Sequence, residues 1–144
     1  MRGYRGPEYV IKKGRFWQVA EERWKDAECL HRSGRFDGAV YLCGYVLECF
    51  LKYAVCVRRG QAGLTEREAK SLGHNLAELL DTAGFRGILY EGKRQDLLLA
   101  FDRLNNRWST ELRYQPRSAD FRFSRGFLND TGALRNWLQQ QLNA

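Results

Sequence analysis

Proline is scarce in this sequence. Only Pro7 and Pro116 occur, so the long stretch between them holds no helix breaker of that kind. Histidine is scarcer still in chemical terms, because His31 and His74 are the only imidazoles available for acid–base work. No H-E-x-x-H pair, Walker loop or G-x-G-x-x-G turn occurs, which removes the common signatures of zinc proteases, P-loop enzymes and dinucleotide binders. Cysteine is present at Cys29, Cys43, Cys49 and Cys56, but no two stand in C-x-x-C spacing. Cys49 and Cys56 lie two helical turns apart, too far to bond, so all four are expected as free thiols. Long uncharged apolar runs are missing too, and with them the signal of a membrane span. The segment from Met1 to Phe16 is basic but has neither an apolar centre nor a small-residue cleavage site, unlike a signal peptide. The expectation is a cytoplasmic protein with no metal and no cofactor.

What is abundant is apolar surface and positive charge. Across 144 residues the hydrophobic share is 44% and the aromatic share 13%, enough to build a core and to exclude a disordered chain. Twenty-four Lys and Arg against 17 Asp and Glu leave a net charge of +7, a field that favours polyanions such as RNA, DNA or nucleotides. Two segments carry the surplus. Residues 1–35 hold nine basic and five acidic side chains, and residues 1–15 are expected as a basic extension ahead of a single helical domain over 16–144. Residues 105–126 hold Arg107, Arg113, Arg117, Arg122 and Arg125, interleaved with Trp108, Tyr114, Phe121 and Phe123. Arginine forks phosphate and aromatic rings stack bases, so this segment reads either as a polyanion surface or as a solvated basic face with its rings in the core.

Helical periodicity dominates the rest. Phe16, Ala20, Trp24, Ala27 and Leu30 predict a first helix, with Glu21–Lys25 and Glu28–Arg32 as i,i+4 pairs and Ser33-Gly34 as the stop. A second helix is expected from about Asp37 to Arg59. Its apolar stripes leave only a narrow polar strip of Asp37, Tyr41, Tyr45, Glu48 and Lys52, so it must be central in a bundle or lie in a dimer interface. Thr65 with Glu68 and Asn75 with Glu78 read as capping boxes for two short helices, the second closing at Gly84. Further helices are expected over about Lys93 to Asn106 and around Phe127, Leu134, Trp137 and Leu138. No two-residue alternation appears, and the class is all-α.

Gly34, Phe36, Ala39, Tyr41, Gly44, Tyr45, Glu48, Leu51 and Lys52 stand in the order and spacing of the HEPN superfamily signature, which this stretch resembles. Two later pieces agree in order: Gly73-His74-Asn75-Leu76, and Trp108 through Arg113-Tyr114. The resemblance covers about Ala20 to Leu142. It implies an all-α, antiparallel, up-and-down bundle of four to five helices that forms a homodimer and is encoded beside a nucleotidyltransferase-like partner in prokaryotic toxin–antitoxin or defence loci. Many HEPN proteins are metal-independent ribonucleases that use an Arg-x4–6-His motif late in the chain. This sequence departs from that pattern, since no histidine follows His74, and the Arg67–His74 spacing falls across a capping box and a helix start.

Metal-free cleavage of RNA needs a base for the 2′-hydroxyl and a cation for the phosphorane. Arg113 is the candidate cation and His74 the candidate base, ahead of Tyr114, whose ordinary pKa is too high. The alternative roles are an Arg113–Glu48 ion pair and a helix-start His74 bonded to backbone. Glu48, Lys52, Trp108, Arg113 and Tyr114 form the expected ligand-binding set. Three functions follow: a nucleotide- or RNA-binding, partner-associated domain that is not catalytic alone, a ribonuclease using His74 and Arg113, or a plain dimerisation module.

Overall fold

The computed structural model describes residues 9–108 and 119–143. Among these residues the chain runs β1 (Val10–Lys12), α1 (Lys13–Arg32), α2 (Phe36–Arg59), β2 (Gly63–Thr65), α3 (Glu66–Leu72), α4 (Leu76–Thr82), α5 (Arg86–Glu91), α6 (Gln95–Arg107) and α7 (Phe121–Asn143). The class is all-α apart from one small ribbon.

The first two long helices form a tight hairpin because Gly34 adopts a left-handed φ of 76°. That turn lets Gly34 N–H donate to His31 O at 3.1 Å and Arg35 N–H to Leu30 O at 2.8 Å, so the last carbonyls of α1 are satisfied before the chain reverses. Gly60 closes α2 in the same way, at a φ of 64°. Capping also explains the short helices. Thr65 and Glu68 make both bonds of the expected box, at 3.1 and 3.0 Å. Asn75 Oδ1 accepts from Glu78 N–H at 3.0 Å without a return bond, so only half of the second box forms.

Helix α2 is the centre of the molecule. It packs most extensively on α1, then on α7 and α4, and Val46, Phe50, Leu51 and Val55 are fully covered. By length and composition Phe36–Arg59 would pass for a membrane-crossing helix, with a mean hydropathy of 1.6, yet 72% of that window is buried inside the domain. Of the two settings expected for so apolar a helix, intrachain packing accounts for its faces. The partners of the side chains give the directions of the bundle. His31 late in α1 meets Ser124 early in α7, and Glu21 earlier in α1 meets Arg135, so α1 and α7 run antiparallel. Arg103 of α6 meets Asp130 while Arg107 covers Phe123, so α6 and α7 are antiparallel as well.

Three features differ from the sequence reading. The ribbon pairs Val10 with Thr65, Ile11 with Leu64 and Lys12 with Gly63, inside what was expected to be an extension. A side chain at position 63 would collide with the Ile11 carbonyl, so glycine is required there. The ribbon closes a satellite core of Phe16, Cys56 and Leu64. Helix α5 was not expected, being too short to show a period. The intrahelical pairs Glu21–Lys25 and Glu28–Arg32 do not form. Glu21 instead accepts from both arms of the Arg135 fork, Nε at 3.1 Å to Oε2 and Nη2 at 2.9 Å to Oε1, and from Gln139, because a fixed guanidinium fork on the neighbouring helix outcompetes a flexible ammonium in water. The four cysteines are free as expected. Burial pushes the Cys43 and Cys49 thiols up to about 12, so neither is a thiolate nucleophile.

Candidate functional site

The polar strip of α2 is where the expected site residues collect. Glu48 and Lys52 share one face at i,i+4 spacing, and both are buried, at 2% and 7% exposure. Lys52 Nζ donates to Glu48 Oε2 at 3.0 Å. The other carboxylate oxygen, Oε1, lies 2.8 Å from His74 Nδ1. A carboxylate beside an ammonium only accepts, so Nδ1 carries the proton in this contact. In a neutral ring that tautomer leaves the lone pair on Nε2, and the His74 side chain is 61% exposed. A buried carboxylate that orients an accessible imidazole can take up or release a proton at a defined atom. His74 therefore bonds the Glu48 side chain and not the backbone expected of a residue at a helix start. Its position follows from the Asn75 cap, which begins α4 directly after it. Arg67, the other half of the literal Arg-x6-His match, makes no hydrogen bond or ion pair with His74.

One turn before Glu48 the same strip receives Trp108. Its Nε1–H donates to Tyr41 O at 2.8 Å, and its ring occupies the space a side chain at Gly44 would need. Trp108 is buried and belongs to the core, not to a free stacking surface. Next to Glu48, Tyr45 is half-buried, and burial together with the neighbouring Cys49 pushes its hydroxyl up to about 12. It is no base at neutral pH. Arg113 and Tyr114 lie outside the described residues. Both oxygens of Glu48 are taken by Lys52 and His74, so the carboxylate needs no further cation to be satisfied.

The arginine-rich segment divides between two faces of α7. Arg107 and Arg122 line a cleft of about 450 Å³ between α6 and α7, together with Arg103, Phe123, Gly126, Phe127, Asn129 and Asp130. Arg103, which precedes the segment singled out in the sequence, is gripped by Asp130 through two bonds of 2.8 Å. Arg107 sits over the Phe123 ring at 5.4 Å, and Phe123 stacks on Phe127 at 4.9 Å. Neither Arg107 nor Arg122 forms an ion pair among the described residues. Arg125 turns the other way, over the exposed Phe121 and beside His31. Arg117 lies outside the described residues.

His31 is a buried structural residue. Its Nδ1 contacts Ser124 Oγ at 2.8 Å and its ring lies against Phe36 and Phe121. Burial, followed by the charges of Arg125 and Arg32, lowers its pKa below the ordinary value, so it is neutral at pH 7. The unfolded chain then binds a proton that the folded one refuses. Stability is complete above the unfolded pKa and falls as pH drops below about 6.5. Urea midpoints at neutral and mildly acidic pH check this: the wild type should lose stability on acidification, and His31→Gln should lose distinctly less.

Fold and site together define a small all-α protein with a buried Glu–Lys–His cluster on its central helix and an arginine–aromatic cleft between two outer ones. No family model, curated protein or solved structure matches this chain.

Proposed function

We propose that this protein is a cytoplasmic HEPN-type domain that binds nucleotide or RNA as a homodimer. We place it with a nucleotidyltransferase-like partner in a prokaryotic toxin–antitoxin or defence-type system, without turnover by itself. The observation that carries the ligand class is the convergence of Arg103, Arg107 and Arg122 on one cleft of a chain with net charge +7. Among the described residues two of these guanidinium groups lack a carboxylate, and phosphate is an anion that an arginine fork fits well. The Gly34–Lys52 signature, the Gly73-His74-Asn75-Leu76 turn and the Trp108–Tyr114 segment support the family part of the reading.

A second reading is a metal-independent ribonuclease with His74 as base and Arg113 as cation. It is favoured by the Glu48–His74 contact, since orientation of an imidazole by a buried carboxylate suits general-base work. One preparation tests both. Fluorescence anisotropy with a short labelled RNA should show binding that weakens roughly sevenfold between about 50 and about 200 mM salt, as for two neutralised phosphates on a single strand. No binding at low salt would sink the first reading. RNA left intact in EDTA supports it, whereas cleavage that disappears in His74→Ala supports the second.

A further inference from the structure

The cleft between α6 and α7 contains a glycine that packing does not explain. Gly126 lies within α7, where glycine weakens a helix relative to alanine. Gly14 and Gly87 also meet open space but line no cleft with arginine, whereas two other helical glycines have a steric reason. Gly44 makes room for Trp108 and Gly132 lies against Trp24. At Gly126 an added Cβ would meet nothing within 4 Å, and its backbone is not left-handed. It is also one of the residues that line the cleft. A helix-weakening residue is thus placed where a side chain would fill the cleft and nothing else.

The walls of the cleft indicate what the space suits. Phe123 carries Phe127 and the Arg107 guanidinium, so a planar cation is held over an aromatic pair. Such a plane stacks nucleobases. Among the described residues Arg122 has no ion-pair partner, while the acid in the described lining, Asp130, is already neutralised by Arg103. An anionic group entering the cleft therefore meets net positive charge and a stacking plane side by side.

From this juxtaposition we propose that the α6–α7 cleft binds an unpaired nucleotide unit, with its base stacked on Arg107 and its phosphate held by Arg122, in the space that Gly126 leaves open. This rests on the nucleotide- or RNA-binding reading above. A free nucleotide and a nucleotide within a single strand share this chemistry, whereas a base-paired one has no face to offer.

The test uses the full chain, with AMP, a single-stranded octa-adenylate and a duplex of the same length as probes. Gly126→Leu fills the cleft, and Gly126→Ala serves as a mild control. Both should melt at or above the wild-type temperature, because a helical glycine is removed into open space. Gly126→Leu and Arg107→Ala should each weaken single-strand binding by about tenfold or more, as expected for loss of one stacked base. Arg122→Ala should reduce the slope of log affinity against log salt by about 0.7, one phosphate contact on a single strand. The wild type should prefer the single strand to the duplex. Binding of AMP with the same sensitivity to Gly126→Leu assigns the cleft to free nucleotide, and binding of the octamer alone assigns it to a strand.

Single-strand binding that is unchanged in a folded Gly126→Leu and in Arg107→Ala overturns the cleft while leaving the functional reading intact. A wild type that binds none of the probes overturns both.

Discussion

Gly44→Ala is expected to destabilise the fold by about 3 kcal/mol or more, at or beyond the upper end of ordinary overpacking. A methyl at this position would overlap the Trp108 ring, and neither partner can yield cheaply. Gly44 lies mid-way along the most buried helix of the protein. Trp108 is held by its bond to the Tyr41 carbonyl and is only 7% exposed. The change should show as a large fall in the urea midpoint. A double-mutant cycle identifies the cause. In a Trp108→Leu background, itself destabilised, Gly44→Ala should cost far less, with a coupling energy of about 2 kcal/mol. Equal costs in both backgrounds would show that the contact is not what position 44 protects.

The second large effect is expected at Glu48. Replacement by glutamine keeps the shape but strands the Lys52 ammonium in the interior, and removing one member of a buried pair typically costs about 3–5 kcal/mol. His74 loses its acceptor at the same time, although its exposure lets water replace that bond. The double variant Glu48→Leu/Lys52→Leu should recover most of the loss, since two apolar side chains need neither charge nor partner. Chemical denaturation of the three proteins decides the matter. A double variant as unstable as the single one would mean that Glu48 matters for something other than neutralising Lys52. If the double variant also binds RNA as the wild type does, the cluster and the arginine cleft act independently.

Several elements were legible in the residues because their causes are local. Apolar spacing of threes and fours marked α1, α2 and α6, the Thr65–Glu68 box marked α3, and the left-handed glycines marked the ends of α1 and α2. The ribbon and α5 were not legible, since three- and six-residue elements show no period. Their formation depends on what covers them, as Leu64 shows in the satellite core. The candidate site was half legible. Glu48 and Lys52 are neighbours by helical geometry alone. That His74, 26 positions further on, closes the cluster is a tertiary fact.

The same division holds for the electrostatics. Sequence spacing suggested Glu28–Arg32 and Glu21–Lys25, whereas the fold hands Glu21 to Arg135 and Gln139 from α7. Composition showed a surplus of arginine, but only the antiparallel packing of α6 on α7 brings Arg103 and Arg107 alongside Arg122 while sending Arg125 to the opposite cleft. By itself the sequence determined that the chain is helical, which helix is central and that the surface is basic, because periodicity, apolar content and net charge are properties of the chain. Which charges meet, which histidine is exposed and where a glycine leaves space were decided by the tertiary structure alone, because each depends on side chains far apart in sequence arriving at one point.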